Sequence, residues 1–203
     1  MTDFTALSLK DYLDKLASDS PTPGGGSVSA YTAALAMGLS QMVARIALKR
    51  KKKANMSPQE QKEDKERRKT IEQILTSLEK TKKDAFEIVN LDPQVFEEVM
   101  AVWGDDSKME DALQNAFRLQ ADLAFLIVMA DEWNTMLAHL VKGSIKNDLL
   151  VSAGLYEGSF RGATHTAMIN AHYMKDAERK QKAEKALQEL KTRFQKEHAG
   201  AAG

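Results

Sequence analysis

Apolar residues recur at helical spacing along most of this chain, and no segment shows sustained alternation of apolar and polar residues. The first stripe is Leu9, Tyr12, Leu13 and Leu16, which would share one face of a helix that begins near Ser8. Only four prolines and few runs of β-branched residues are present, which disfavours an all-β fold. The sequence therefore predicts an all-α fold, a bundle of long helices.

The composition is that of an ordinary globular protein, with 43% apolar and 29% charged residues in 203. A chain of this size can bury a substantial core, so we expect a single helical domain over residues 1–203. The 29 basic and 29 acidic side chains cancel, which argues against nucleic acid as an electrostatically attracted partner. Because cysteine is absent, disulfides, thiolate metal ligands and a cysteine nucleophile are excluded.

No targeting or membrane segment is predicted. The N-terminal residues carry an acid and lack the basic region and apolar run of a secretory signal. Residues 20–44 carry no charge, but Gly, Ala, Ser and Thr dominate them, whereas a bilayer span needs about 20 strongly apolar residues. We therefore expect a buried helix there, a cytoplasmic protein and no membrane partner.

Capping signals predict where the first long helices begin. Ser27 is expected to cap a helix that runs past Met42. Ser57-Pro-Gln-Glu60 is a capping box with proline at the first helical position. Asp92-Pro93 indicates either the start of a new helix or a kink in the existing one.

The second half of the chain gives similar signals. Ser107-Lys-Met-Glu110 is a capping box that would begin a long helix ending at Gly143. Ser144 or Asn147 is expected to cap the next helix, and a last helix would run through Ile169 into a charged tail.

Small residues recur every four positions in two ridges: Ala30, Ala34 and Gly38 in one, and Gly154, Gly158 and Gly162 in the other. A glycine inside a helix costs roughly 1 kcal/mol relative to alanine, so these positions need a reason. Close packing of helices inside the protein is one explanation, and a subunit interface is the alternative.

A nearly side-chain-free segment, formed by Pro23, Gly24, Gly25, Gly26 and Ser27, precedes the second helix. Here backbone N–H groups can approach a ligand beside the positive end of a helix dipole. A sharp turn is the structural alternative, but a turn rarely needs three glycines. The usual phosphate loops are excluded, because no Lys-Ser or Lys-Thr pair follows and no strand precedes. We take all five residues as candidate ligand-binding residues.

Four segments keep the order of a known set of motifs: 16–30 around the glycines, Asp92–Ala101, Asn147–Val151 and Arg161–Asn170. Together they resemble the family of folate enzymes that includes methenyltetrahydrofolate cyclohydrolases and the cyclodeaminase domain of formiminotransferase-cyclodeaminase. The chain departs from that pattern at Thr166, where the family has Asn, and at 104–108, where it has Leu-Pro-Lys.

This resemblance implies a helical, homodimeric enzyme acting on one-carbon folates, with sites near subunit contacts. The reduced folate would be the substrate, and we expect no cofactor. Hydrolysis of methenyltetrahydrofolate to formyltetrahydrofolate is the expected reaction. Deamination of formiminotetrahydrofolate with release of ammonia stays open, as does a family relative that binds folate without turnover.

Hydrolysis of an amidinium carbon requires a general base and a proton for the departing nitrogen. Asp92, Asp148 and His165 are the candidate catalytic residues. Each also has a structural alternative: a helix-start cap for Asp92, dipole compensation for Asp148 and an ordinary helical histidine for His165. No spacing of His, Asp and Glu resembles a zinc site, so we expect no metal.

Arg161 and Asn170 complete the candidate substrate-binding residues. Arg161 has short neighbours and could reach a substrate carboxylate, or else pair with Glu157 one turn earlier. Asn170 could orient substrate amides, or else form a hydrogen bond between helices.

A basic run occupies residues 49–69, with ten Lys or Arg and four Asp or Glu, a net charge of +6. Such a run is usually a solvated helix end, and binding of polyglutamate tails or nucleic acid is the alternative.

Overall fold

The structure is a computed structural model that describes residues 2–51 and 55–201. All regular structure within these residues is helical, which confirms the predicted all-α fold. After a 3-10 turn at Phe4–Ala6, the helices are α1 (Leu9–Leu16), α2 (Gly25–Lys49), α3 (Pro58–Ala101), α4 (Asp106–Leu140), α5 (Lys146–Tyr173) and α6 (Ala177–Ala201).

The four long helices α2 to α5 form a closed bundle. Each packs against the next, α5 packs back against α2, and α6 covers α4 and α5. The interior is filled by wholly buried apolar side chains such as Met37, Leu78, Ile127 and Tyr156. This packing gives the bundle one continuous core over most of its length.

Helix α2 is long and apolar enough to cross a membrane by length and composition. Half of its most apolar window is buried inside the protein, where α3 and α5 flank it. The expectation that residues 20–44 contain a buried helix is met for that part of α2. No such span occurs elsewhere in the described residues.

Several predicted helix boundaries are confirmed. Ser8 caps α1 by accepting the N–H of Asp11, and Ser57 and Glu60 form the predicted capping box of α3. Of the two alternatives at Asp92-Pro93, the start of a new helix is wrong, because both residues lie inside the continuous α3.

The N-termini of the later helices also differ from those predicted. Asp105, and not Ser107, caps α4, because the Asp105 carboxylate accepts both the N–H and the hydroxyl of Ser107. Ile145 precedes α5 without any side-chain cap. The charged tail is a separate helix, α6, where the Asp176 carboxylate accepts the first backbone N–H groups.

The two small-residue ridges have different environments. A Cβ on Gly162 would lie 2.2 Å from the Ser29 hydroxyl of α2, so close packing inside the bundle explains this glycine. In the described part of the chain, no neighbouring atom lies within 4 Å of the Cβ position of Gly38, Gly154 or Gly158. Internal packing therefore does not account for these three.

Three arginines of the basic run satisfy helix C-terminal carbonyl groups. Arg68 donates to the carbonyls of Leu48 and Arg50 at the end of α2. Arg67 donates to the Leu140 carbonyl at the end of α4, and Arg50 donates to the Lys142 carbonyl, two residues beyond that end. The C-terminus of a helix has unpaired carbonyl groups and the negative end of the dipole, so these arginines stabilise the C-termini of α2 and α4. Residues 52–54 of the run lie outside the described residues.

Candidate functional site

The N-terminus of α2 is held by a side chain from α3. Gly24 is the N-cap and has no side chain to accept a hydrogen bond, and Gly25 is the first helical residue. Ser27 is the third helical residue, so its predicted role as the cap is wrong. Its N–H donates to Asp92 Oδ2 at 2.9 Å. A carboxylate from another helix thus replaces the local cap, and α2 begins three residues earlier than predicted, with Gly24 and not Ser27 as its N-cap.

A second contact joins α2 and α3 at the same place. Pro93 has no N–H, so the Val89 carbonyl lacks its normal partner within α3. The Ser27 hydroxyl donates to this carbonyl at 2.9 Å. The Tyr12 hydroxyl lies 3.1 Å from Ser27 Oγ. Because the Ser27 hydroxyl proton is used for the Val89 carbonyl, Tyr12 is the donor in this second bond. The proline in α3 and the serine in α2 are therefore complementary.

Asp92 accepts hydrogen bonds on both carboxylate oxygens. In addition to the Ser27 bond, its Oδ1 accepts the Gln120 amide of α4 at 2.7 Å. Partial burial raises the pKa of Asp92 above the usual range of aspartate, while both hydrogen bonds act in the opposite direction. The sequence reasoning missed Gln120, although a glutamine on an apolar stretch of a long helix signals a buried polar contact.

Gly26 fits between these groups because it has no side chain. A Cβ there would lie 2.1 Å from Asp92 Oδ1 and 2.2 Å from Gln120 Nε2. Any other residue would separate the carboxylate from the start of α2. Close approach explains this glycine, which a turn alone would not require.

A cavity of about 370 Å³ lies beside this junction. Its polar lining consists of Thr22, the backbone of Gly24–Gly26 and the side chains of Asp92, Thr166 and Asn170. Its apolar lining comes from Pro21, from Trp103 just beyond the end of α3, and from side chains of α3, α4 and α5: Val95, Phe96, Val99, Met100, Leu113, Ala116, Ile169 and Tyr173. A concave apolar site with a few convergent polar groups is the usual form of a small-molecule site.

The polar groups have hydrogen-bonding capacity to spare. The N–H groups of Gly25 and Gly26 have no acceptor among the described residues, as expected for the first turn of a helix. Asn170 Nδ2 donates to the Thr166 carbonyl of its own helix, so the alternative of an interhelical bond is wrong. This polar end therefore offers backbone donors, an amide oxygen and a carboxylate to a ligand.

The structure brings some of the predicted site residues together. Gly24–Gly26, Asp92 and Asn170 line this cavity. Pro23 belongs to the same segment and Ser27 supports it from behind, but neither lines the cavity. The grouping unites residues separated by more than a hundred positions in the chain.

Two other predicted residues lie in a second cavity, between α5 and α6. Arg161 and His165 line it together with His198. His198 Nδ1 lies 3.0 Å from the buried Asp131 carboxylate, and its other nitrogen is 3.9 Å from Glu157. The alternative pairing of Arg161 with Glu157 is not formed among the described residues.

Asp148 lies outside both cavities, in the first turn of α5. Its carbonyl accepts the Ser152 hydroxyl, and its position at a helix N-terminus is favourable for a negative charge. Nowhere in the described chain do three His, Asp or Glu side chains form a group able to hold a metal ion. The expected absence of a metal stays a prediction.

Comparisons with known proteins identify a family model, a relative and a solved structure to which this chain is similar. The family model for formiminotransferase-cyclodeaminase matches residues 8–189. A methenyltetrahydrofolate cyclohydrolase from Methylorubrum extorquens is 24% identical over 191 residues, covering 90% of this chain and 86% of the relative. The crystal structure of a formiminotetrahydrofolate cyclodeaminase from Thermotoga maritima superposes with a TM-score of 0.87 at 24% identity, over 98% of this chain and 96% of that one.

Gly26→Ala should destabilise the fold by about 1–3 kcal/mol, because the new methyl group displaces Asp92 and Gln120. The neighbouring Gly25→Ala is the control. Its Cβ would meet only Thr166 Oγ1 at 3.8 Å, so stability should stay within about 1 kcal/mol of the parent. Urea denaturation measures both variants, and equal stability of the two would contradict the close approach.

The raised pKa of Asp92 predicts a pH-dependent stability difference between the parent and Asp92→Asn. The folded parent binds a proton more tightly than the unfolded chain does. Its stability relative to the variant should therefore be greatest below about pH 4 and fall as the pH rises through the raised pKa. Denaturation at pH 3 to 7 measures this difference, and a rise with pH would contradict the burial of the carboxylate.

Proposed function

Because this chain belongs to the formiminotransferase-cyclodeaminase family, we propose that it hydrolyses methenyltetrahydrofolate to formyltetrahydrofolate. The observation that carries the proposal is the cavity in which a partly buried carboxylate, Asp92, lies beside N–H groups at the start of α2 that have no acceptor among the described residues. This arrangement supplies a proton acceptor and a set of fixed donors in one cavity.

The reaction needs one group that accepts a proton and returns it. Water adds to the cationic methenyl carbon, a C–O bond forms, and a water proton passes to Asp92. The adduct hydroxyl then loses its proton as the C=O bond forms, one C–N bond breaks, and the departing nitrogen takes a proton from Asp92. One proton is released overall, because the substrate carries a positive charge that the product lacks.

Asp92 suits this role better than the other candidates. Of the side chains that line the cavity in the described residues, it is the only carboxylate. Its raised pKa brings proton transfer closer to neutral pH, where a general base is most effective. The Gly25 and Gly26 N–H groups would stabilise negative charge on the developing oxygen. Asn170 would bind the amide edge of the pterin.

Hydrolysis is placed before deamination because the matched relative from Methylorubrum extorquens is a methenyltetrahydrofolate cyclohydrolase. The structural neighbour, a formiminotetrahydrofolate cyclodeaminase, keeps the sister reaction as the second candidate. Both reactions use a folate one-carbon group at the same kind of centre, so the same cavity would serve either. The cytoplasmic location expected from the sequence remains a prediction.

We also propose that the protein is a homodimer that associates through α2 and α5. On these adjacent helices, Gly38, Gly154 and Gly158 have no internal packing partner in the described chain. Large apolar side chains are exposed on the same two helices: Leu35, Met42, Ile46, Leu150 and Val151. Open glycines flanked by exposed apolar residues allow close approach of a second copy.

Asp92→Asn should lower kcat by about 10²- to 10⁴-fold, because asparagine keeps the Ser27 bond but cannot accept a proton. The loss of methenyltetrahydrofolate absorbance measures hydrolysis, and ammonia release from formiminotetrahydrofolate measures the sister reaction. Asp122→Asn on the surface of α4 is the matched control and should retain full activity. An inactive parent in both assays would refute the enzyme and favour a folate-binding relative, which calorimetry would detect.

Asp148→Asn tests which of the two aspartates predicted from the sequence, Asp92 or Asp148, is catalytic. Unchanged rates are expected, because Asp148 lies outside the cavity. A loss comparable to that of Asp92→Asn would contradict the single-chain site and indicate that a second copy supplies Asp148.

Met42→Arg should convert the dimer to a monomer, because a charged side chain on α2 would be buried at the interface. Met136→Arg is the matched control: Met136 is 46% exposed on α4, compared with 39% for Met42 on α2. Sedimentation velocity measures the assembly state. Dissociation by the α4 substitution alone would place the interface elsewhere.

A further inference from the structure

The mouth of the cavity is surrounded by large apolar side chains that the protein leaves exposed. Phe96, Met100, Trp103, Ile169 and Tyr173 all line the cavity and are 38%, 50%, 53%, 59% and 52% exposed. Scattered exposed apolar residues are common, but five around one cavity form a contiguous patch. Such a patch beside a concave site is typical of a ligand-binding surface.

Two of these side chains form an aromatic pair across the mouth. Trp103 follows the end of α3, and Tyr173 is the last residue of α5. Their ring centroids are 5.5 Å apart with an interplanar angle of 73°. An edge-to-face contact leaves at least one face of each ring uncovered by the other, so a third flat ring can pack against the pair.

The aromatic pair lies at the other end of the cavity from Asp92 and Thr166, and Asn170 lies between the two ends, four residues after Thr166 and three before Tyr173 on α5. Along α3, Asp92 precedes Trp103 by eleven positions, and along α5, Thr166 precedes Tyr173 by seven. At a rise of about 1.5 Å per residue, these separations correspond to roughly 10–16 Å. The cavity therefore has a polar end that suits a hydrogen-bonding heterocycle. Its aromatic end lies at the distance that a second ring of the same ligand would reach.

We propose that Trp103 and Tyr173 form a subsite for the aminobenzoyl ring of the folate, with the pterin at the Asp92 end. The assignment rests on the proposed function. It also predicts where the glutamate tail goes: no Lys or Arg lines this cavity in the described chain, so the tail extends into solvent without a charged partner from this subunit.

Calorimetry with three ligands of increasing length tests the subsite. They are 6-methyltetrahydropterin, which has only the heterocycle; tetrahydropteroate, which adds the aminobenzoyl ring; and tetrahydrofolate, which adds the glutamate. The ring should tighten binding to the parent protein about tenfold or more. The glutamate should change affinity by less than about threefold, because no cation in the cavity meets it.

Trp103→Leu keeps an apolar side chain and removes the ring. It should weaken tetrahydropteroate and tetrahydrofolate about tenfold and leave 6-methyltetrahydropterin within about twofold. A purely structural role of Trp103 would weaken all three ligands alike, and that result would overturn the proposal. Phe125→Leu is the matched control, because Phe125 is an aromatic residue of similar exposure on α4, outside the cavity. It should leave all three affinities unchanged.

Two further outcomes separate this inference from the proposed function. Methenyltetrahydrofolate hydrolysis by a protein whose affinity does not depend on the aminobenzoyl ring would overturn the subsite and leave the enzyme assignment standing. Loss of the dimer in Trp103→Leu, with ligand affinity unchanged in sedimentation and calorimetry, would make the patch a surface between two copies and also overturn the subsite.

Discussion

The carboxylate of Asp92 closes the N-terminus of α2, and the site depends on that contact. It accepts the Ser27 N–H of α2 and the Gln120 amide of α4, so one side chain joins three helices of the bundle. The contact is possible only because Gly26 has no side chain. A carboxylate with a pKa raised by burial is thereby held next to two backbone donors, the N–H groups of Gly25 and Gly26, for which the described part of the chain has no acceptor. The same group organises the fold locally and supplies the chemistry.

Pro93 explains why α2 and α3 meet where they do. A proline inside a helix normally costs about 3 kcal/mol, partly because a carbonyl loses its donor. Here the Ser27 hydroxyl replaces that donor at Val89. The defect in α3 thus becomes a specific binding point for the start of α2. The cavity lies directly beside it, with its polar end at this junction and its aromatic mouth at the ends of α3 and α5.

Local sequence signals succeeded where the deciding groups were neighbours in the chain. Helical periodicity predicted the bundle, and Ser8 and Ser57 were correct caps because each accepts an N–H three positions later. Predictions failed where a distant group competed. Ser27 was displaced as a cap by Asp92, 65 positions away. Within the basic run, Arg67 and Arg68 bind carbonyls at the ends of other helices, so their charge pattern alone did not show their role.

The sequence by itself determined the all-helical class, the near absence of side chains in the glycine segment, and the family to which its motifs are similar. These properties depend on residue type and short spacing, which a chain carries before it folds. Only the tertiary structure decided which candidates share a site. It placed Asp92 and Asn170 with the glycines, sent Arg161 and His165 to another cavity, and added Gln120 and Trp103. The reason is geometric: adjacent residues of a helix face different neighbours, so sequence proximity on α5 does not determine which cavity a side chain enters.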